Sequence, residues 1–348
     1  MSENIPIEVQ MDIVRRLCVK SVAQCRTVCK IWRSRINSMH FTKRFGVRMN
    51  SAFSYILVCE RSYKGNAFYV DENFSLTPVE LNISFSGLTP LGWSHGVRGF
   101  SFGPIVRYFM CLLWNPTVHK SVGAYVPYYT LGQEYEKRLL GFGVRPHNLD
   151  PIILKIAFPF DPKKPWSVKL FTLSSRVWRS LGNEYLLPHT FRIKKASQAN
   201  IGRHIYWCGY EKFVGNDASL YKSYGNIQGD EHCVFCIWVL SIHGGTITSF
   251  TNLLTIPSPI AVKLIGFHDN IDPIIEVPSQ EGFSASLFLY RMLTGGFQSL
   301  GIEGDAGSFF IRPFSQSIVL QSHADMTKYC EELVYPGLVD TKLNLGCH

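Results

Sequence analysis

The sequence has no long apolar run. No stretch of its 348 residues approaches the about 18 consecutive apolar residues that suggest a membrane-spanning helix, so no membrane partner is expected. The first ten residues, MSENIPIEVQ, lack the basic start and the apolar run of a signal peptide. We therefore expect an intracellular protein, in the nucleus, the cytoplasm or both. Its ten cysteines should be reduced thiols, most of them small core residues.

Charged residues are also scarce, at 18% of the sequence, and the excess of positive charge lies at one end. The formal net charge is +9, yet residues 1–50 hold ten Lys or Arg against three Asp or Glu, which gives +7. The other 298 residues carry 25 basic and 23 acidic side chains, a surplus of two. Such a small surplus does not favour sequence-independent binding to phosphates, so no nucleic-acid partner is expected.

Common catalytic motifs are missing too, since the sequence contains no Walker loop, dinucleotide fingerprint or HExxH. Residues 99–103 do fit the G-x-S-x-G pattern around Ser101. A nucleophile elbow needs a helix after the serine, whereas Pro104 and then an apolar, strand-like run follow here. We interpret the segment as a Gly-rich loop between strands, and we expect no catalytic residue.

A metal site is not expected either. Cys233 and Cys236 form one pair beside His232, but a structural zinc site needs four converging ligands, usually two such pairs. Buried strand cysteines explain this segment better. The histidines His95, His119 and His147 do not have the spacing of a catalytic triad or of a metal cluster. The sequence therefore indicates neither a metal nor another cofactor.

Clear helical periodicity is confined to residues 5–41. Ile13, Val14 and Leu17 are spaced for one helix face, and a second apolar set repeats at three- and four-residue steps between residues 25 and 36. Pro6 suits the first position of a helix, and residues 21–24 fit a capping box. We expect two or three short helices, in a unit that is marginally stable by itself.

From about residue 51 the pattern changes to short apolar runs, which Gly, Pro, Asn and Ser separate. Regularly punctuated short strands indicate an all-β sandwich, barrel or propeller. The predicted strands are Tyr55 to Cys59, Tyr108 to Trp114, Ile152 to Phe158, Val168 to Leu173, His204 to Cys208, Val234 to Ile242, Val262 to Phe267, Ser286 to Met292 and Ser317 to Gln321.

Three segments repeat a pattern of strand, tight turn and strand, at residues 170–181, 238–250 and 287–301. The glycine pairs at 244–245 and 295–296 supply the positive φ that hairpin turns need. Hairpins that recur at such intervals favour a β-propeller, and five or six blades of roughly 45 residues would fit. A Greek-key sandwich stays open as the alternative.

Several of these motifs resemble a known family. Ile5-Pro6, Leu17 to Val22 and Val28 to Arg33 resemble the F-box of the large plant family in which an F-box-associated domain follows, and the match continues through His40-Phe41. Four further segments resemble signatures of the associated domain: Leu113 to Thr117, Gly141 to Gly143, Val168 to Leu181 and His204 to Trp207. The resemblance implies an α+β multi-domain fold: an all-α F-box at residues 1–46, an all-β, propeller-like domain at 51–325, and a C-terminal tail or closing segment at 326–348.

The resemblance also implies a function, that of the substrate-recognition subunit of an SCF-type ubiquitin ligase. In that family the F-box binds a Skp-type adaptor, and through it cullin, while the associated domain holds a target protein. Such a subunit is not an enzyme. The basic charge of residues 1–50 fits an acidic adaptor. We expect adaptor contact from Ile5, Pro6, Ile13, Val14, Leu17, Val19, Val22, Val28 and Trp32.

Two alternatives stay open at this point. The first is a protein- or glycan-binding β module that works outside any ligase. The second is a propeller-type hydrolase or lyase that uses Ser101 or carboxylates without a recognisable pattern. Nothing in the sequence identifies the target.

Overall fold

The structure is a computed structural model. It describes residues 5–49, 55–59, 66–70, 76–79, 89–105, 108–126, 135–159, 166–181, 191–201, 204–212, 233–243, 246–256, 263–268, 271–279, 281–313 and 315–323. The tail or closing segment predicted at 326–348 lies outside these residues.

Four short helices open the described chain: α1 (Ile7–Val14), α2 (Val19–Cys25), α3 (Lys30–Ile36) and α4 (Met39–Phe45). The helix α1 begins directly after Pro6, whose carbonyl accepts the N–H groups of Val9 at 3.0 Å and Gln10 at 3.1 Å. The fourth helix was not predicted. Ser38 begins it by accepting the N–H of Phe41 at 3.1 Å, as a serine N-cap does.

The predicted capping box at residues 21–24 is wrong. The helix α2 begins at Val19, so Ser21 lies within its first turn, where its Oγ is 3.2 Å from the sulfur of Cys18. A cysteine takes the capping role in the next helix instead. The sulfur of Cys29 accepts the N–H of Trp32 at 3.4 Å and so satisfies one of the free donors at the start of α3.

Strands make up the rest of the described chain. In order they are β1 (Val47–Met49), β2 (Tyr55–Cys59), β3 (Asn66–Val70), β4 (Leu76–Val79), β5 (Thr89–Ser94), β6 (Val97–Ile105), β7 (Tyr108–Asn115), β8 (Lys120–Val126), β9 (Tyr135–Arg145), β10 (Asp150–Pro159), β11 (Ser167–Thr172), β12 (Val177–Ser180), β13 (Phe191–Ile201), β14 (His204–Lys212), β15 (Cys233–His243), β16 (Thr246–Ile256), β17 (Lys263–His268), β18 (Asp272–Pro278), β19 (Ser284–Arg291), β20 (Gly296–Asp305), β21 (Phe309–Pro313) and β22 (Ser315–Ser317).

These strands form a β-propeller of four-stranded antiparallel sheets, five of them within the described residues. Four sheets take consecutive strands: β5–β8, β9–β12, β13–β16 and β17–β20. In the fifth, β21 from the end of the domain pairs with β2, and β3 and β4 follow outward. The two ends of the domain are therefore joined in one sheet, which closes the ring. The predicted α+β class with a propeller-like β region is confirmed.

Neighbouring sheets share apolar cores, as the blades of a propeller do. Phe142 lies in the core between the β5–β8 and β9–β12 sheets, and Trp207 lies in the core between β9–β12 and β13–β16. Ile237 and Ile275 share the next core, and Phe309 of β21 joins the core of the β17–β20 sheet. Burial of these side chains is the main force that holds the ring together.

Side-chain amides connect the inner strands β5, β9 and β13. Gln198 donates to the carbonyl of Phe142 at 2.6 Å and accepts its N–H at 3.0 Å, while Asn200 donates to the carbonyl of Trp93 at 2.8 Å. Gly92 makes this approach possible, because a Cβ there would lie 2.6 Å from the Gln198 amide nitrogen.

The three predicted hairpins are confirmed as β11–β12, β15–β16 and β19–β20. Eight of the nine predicted apolar runs coincide with strands. The ninth, Ser317 to Gln321, is wrong, because only Ser317 belongs to a strand and turns follow it. The interpretation of residues 99–103 as a loop is also wrong, since they lie inside β6.

Candidate protein-binding surface

The helix α1 has two apolar sides. Met11 and Val14 are buried among the other helices. Val9 and Ile13 lie on another side, with 48% and 53% of their surface exposed, and Ile5, two residues before the helix, is 44% exposed. Residues four apart are neighbours on a helix surface, so Val9 and Ile13 form a row along α1, and Ile5 precedes it in the chain. We call these three residues the α1 row.

The start of α3 exposes further apolar side chains. Val28, just before the helix, is 65% exposed, and Ile31 in its first turn is 63% exposed. Trp32 beside them is half-buried, and its indole N–H donates to the Gln10 side chain at 2.8 Å. This bond fixes α3 against α1. Isolated exposed apolar residues are common on soluble proteins, but a cluster of this kind marks a surface that binds another molecule.

The nine residues expected to contact an adaptor separate into three groups. Ile5, Pro6, Ile13 and Val28 are exposed, whereas Leu17 and Trp32 are half-buried. The remaining three lie inside the core that the helices share, with exposures of 2%, 1% and 0%: Val14, Val19 and Val22. The sequence prediction did not include Val9, Ile31 or Met39, which are 48%, 63% and 54% exposed. The four-residue step from Val9 to Ile13 could have revealed Val9.

The helical unit also exposes positive charge. Seven Lys and Arg side chains of the helical unit are exposed: Arg16, Lys20, Lys30, Arg33, Arg35, Lys43 and Arg44. The acidic residues described there are Glu8 and Asp12. Arg15 hydrogen-bonds to Asp12, and this bond holds the pKa of the Asp12 carboxyl below its ordinary value. Exposed apolar side chains on a unit with an excess of exposed basic groups suit an acidic protein partner.

The comparisons with known proteins decide the family. Residues 2–44 match the model of the F-box domain. A putative F-box protein of Arabidopsis thaliana is 31% identical over 120 residues, which are 34% of this chain and 68% of that relative. The chain is an F-box protein. The matched segment contains the α1 row, the start of α3 and the buried helical core.

Other relatives of this F-box protein come from the same plant. A second putative F-box protein is 27% identical over 217 residues, 58% of this chain and 55% of that relative. F-box only protein 12 is 45% identical over 51 residues, 15% of this chain and 13% of the relative. The chain thus spans about half the length of the first of these two relatives.

Among solved structures, TolB from Acinetobacter baumannii aligns over 72% of the F-box protein and 54% of its own chain, with 10% identity and a TM-score of 0.34. A likeness of that degree supports no statement on function.

The candidate nucleophile of the F-box protein is not in a nucleophile elbow. Ser101 lies within β6, and its hydroxyl is 3.5 Å from the carbonyl of Thr89 on the neighbouring strand β5. An elbow places the serine at a sharp turn between a strand and a helix, which is not the geometry here. Ser101 therefore does not have the strand-turn-helix setting of an elbow nucleophile.

Among the described residues, the cysteines and histidines considered as possible metal ligands lie in strands and turns of the propeller. Cys236 is buried in β15, within 3.8 Å of the Thr255 hydroxyl, and the described residues contain no group of three metal-binding side chains. His95 lies in the β5–β6 turn, where burial lowers its pKa to about 4. His119 and His147 lie in the β7–β8 and β9–β10 turns. Among the described helices, none has the length and apolarity that a membrane span requires.

Cys18 is an exposed thiol of the helical unit whose reactivity can be predicted. A hydrogen bond with the Ser21 side chain lowers the pKa of this thiol below its ordinary value. Because the thiolate is the nucleophile, alkylation of Cys18 by iodoacetamide near neutral pH should be faster in the wild type than in Ser21→Ala. Mass spectrometry of the peptide that contains Cys18 measures this rate. Cys29 is exposed as well and serves as the internal control. Equal Cys18 rates in both proteins would contradict the prediction.

Proposed function

We propose that this F-box protein is the substrate-recognition subunit of an SCF-type ubiquitin ligase. Its helical unit binds a Skp-type adaptor, and through the adaptor cullin, while its β-propeller holds a target protein. The single observation that carries the proposal is the α1 row, Ile5, Val9 and Ile13, exposed within the segment that matches the F-box domain.

Adaptor contact is assigned to the side chains that are within reach of a partner. These are the α1 row with Pro6, and Val28, Ile31 and Trp32 around α3. The buried residues Val14, Val19 and Val22 hold the helices together instead. Interface energy is concentrated in a few apolar and aromatic side chains, so Ile13, the most exposed member of the α1 row, should contribute most. The exposed Lys and Arg side chains raise the rate of encounter with an acidic adaptor.

The protein itself performs no bond chemistry under this proposal. The propeller raises the effective concentration of target lysines near a ubiquitin-loaded enzyme, which converts a dilute encounter into a tethered one. The strand position of Ser101 supports this view over the hydrolase alternative, because that alternative depends on an exposed, activated serine.

Titration of the full chain with a purified Skp-type adaptor tests the proposal. We expect a dissociation constant in the low micromolar range or below, as for a specific protein interface. The full chain is needed because a residue from beyond the propeller completes the helical core. Absence of binding at tens of micromolar adaptor would contradict the proposal.

Proximity labelling in native cells tests the receptor role. With proteasome inhibition, the wild type should label target proteins that carry ubiquitin chains. An Ile13→Glu variant, which is expected to lose the adaptor, should label the same proteins without the added ubiquitin. If both proteins label equally ubiquitinated partners, the β-propeller works outside a ligase.

A further inference from the structure

The core of the F-box helices is completed by a residue from the other end of the described chain. Ile318 is 1% exposed, and it packs with the buried side chains of the helices. Val118, from the β7–β8 turn, packs against the edge of the same core. The helical residues concerned are Met11, Val14, Val19, Val22, Ile36, Phe41 and Phe45. The helices alone do not close their own core.

Residues 315–321, which we call the strap, also pair with the backbone that leaves the helices. The strand β1 follows α4 at once and pairs antiparallel with β22 of the strap. Arg48 in β1 donates to the carbonyl of Arg15, at the C-terminal end of α1, and its guanidinium lies 4.4 Å from the Phe45 ring. The strap therefore supports α1 both through Ile318 and through β1.

The other side of the strap is fixed to the β5–β8 sheet. The fully buried Asn115 donates to the carbonyls of Ser317 at 3.0 Å and Val319 at 2.7 Å. The Ser317 hydroxyl donates to the carbonyl of His95 at 2.7 Å. Val319 and Leu320 are buried in the core between the β5–β8 and β9–β12 sheets. The strap thus has one defined place on the propeller.

The strap directly follows β21, the strand that closes the ring. Lys263 and Glu276 of the neighbouring sheet form a buried ion pair at 3.3 Å. Lys263 donates to the carbonyls of Gly307 and Phe309 at 3.2 Å each, at the start of β21. A single residue, at position 314, separates β21 from β22 in the sequence. Since the strap follows β21 so closely in sequence, its place beside the helices depends on where β21 lies.

We propose that the strap couples adaptor recruitment to closure of the propeller ring. A helical unit of about 40 residues is marginally stable by itself. It gains a complete core and an ordered α1 row only after β21 is seated and Ile318 is in place. A chain with an open ring would present the adaptor with a loosened F-box, so incompletely folded copies would be excluded from the ligase. The adaptor step of this inference rests on the proposed function.

Hydrogen exchange of the full chain without adaptor tests the contact. In Ile318→Ala, amides of α1, α2 and α3 should exchange at least about tenfold faster than in the wild type, while those of β10 and β14 keep their rates. Leu253→Ala is the control, because it truncates an exposed apolar residue of β16, outside both the strap and the helices. It should leave helix exchange within about twofold of the wild type. Unchanged helix exchange in Ile318→Ala would overturn the proposal.

Exchange of the wild type in increasing urea tests the link to ring closure. At every urea concentration below global unfolding, no amide of α1 or α3 should be better protected than the amides of β21. Helices that stay protected while β21 exchanges would overturn the coupling. In adaptor titrations, Ile318→Ala should bind at least about fivefold more weakly than Leu253→Ala. A wild type that binds no adaptor would overturn the proposed function, and the exchange measurements would still decide the coupling, since they need no adaptor.

Discussion

Replacement of Ile13 by glutamate is expected to weaken binding of a Skp-type adaptor by at least about 100-fold, or about 2.7 kcal/mol. Ile13 lies in the α1 row and is 53% exposed, so it belongs to the surface and not to the helical core. The variant removes an apolar contact and adds a negative charge opposite an acidic partner. An unpaired charge buried at an interface adds to this loss. Isothermal titration calorimetry with the full chain measures the effect.

The control for this prediction is Leu253→Glu. Leu253 is 40% exposed on β16 of the propeller, so the variant makes a comparable change of charge and apolarity away from the helices. It should bind adaptor with the affinity of the wild type. Circular dichroism should show the same melting temperature for both variants within a few degrees, because exposed substitutions seldom affect stability. An Ile13→Glu protein that binds within about threefold of the wild type would contradict the assignment of the α1 row.

Asn115→Leu is expected to lower the free energy of unfolding by about 3 kcal/mol or more. The side chain is fully buried, and it uses both ends of its amide: Nδ2 donates to Ser317 and Val319, and Oδ1 accepts the N–H of Thr117 at 3.0 Å. Leucine has a similar volume but can make none of these bonds. Each backbone group left buried without a partner costs about 1–3 kcal/mol. Urea denaturation followed by tryptophan fluorescence measures the change.

Asn252→Leu is the matched control for Asn115→Leu. Asn252 is exposed on β16, and it donates a long bond of 3.4 Å to the hydroxyl of Thr255. This variant should change the free energy of unfolding by less than about 0.5 kcal/mol. If Asn115→Leu shows as small a change, the strap is not held as the structure indicates.

The helical unit and the propeller were predictable from the sequence because their signals are local. Four-residue steps indicate helices such as α1, and glycine pairs such as Gly295-Gly296 indicate hairpins, here with a φ of +70° at Gly295. The capping box failed for a local reason too. Ser21 fits the pattern of an N-cap, but the N-cap of α2 is Cys18, three residues earlier. Pattern alone does not decide which of two overlapping starts the helix uses.

The division between core and surface on α1 was not predictable in the same way. Val14 and Ile13 are adjacent apolar residues, yet Val14 is 2% exposed and Ile13 is 53% exposed. A helix that is apolar on two sides has no pattern that says which side meets its own protein and which meets a partner. The row of Ile5, Val9 and Ile13 becomes evident when the buried side is known.

The strap was not predictable because its contacts are remote in sequence. Ile318 packs against residues about 300 positions earlier, and Asn115 bonds with Ser317 across 202 positions. The motif from Leu113 to Thr117 was recognised as a family signature without a role. Periodicity describes one element at a time and contains no information on pairing between distant segments. Residues 317–321 also have the pattern of an ordinary core strand, although turns follow Ser317.

A hydrogen-exchange footprint of the full chain, with and without the adaptor, tests the central claim most directly. The account predicts that saturating adaptor slows exchange in α1 and at the start of α3, around Ile13 and Ile31, and leaves the amides of the propeller sheets unchanged. Slowed exchange confined to propeller strands, or no change in the helices at saturation, would contradict it.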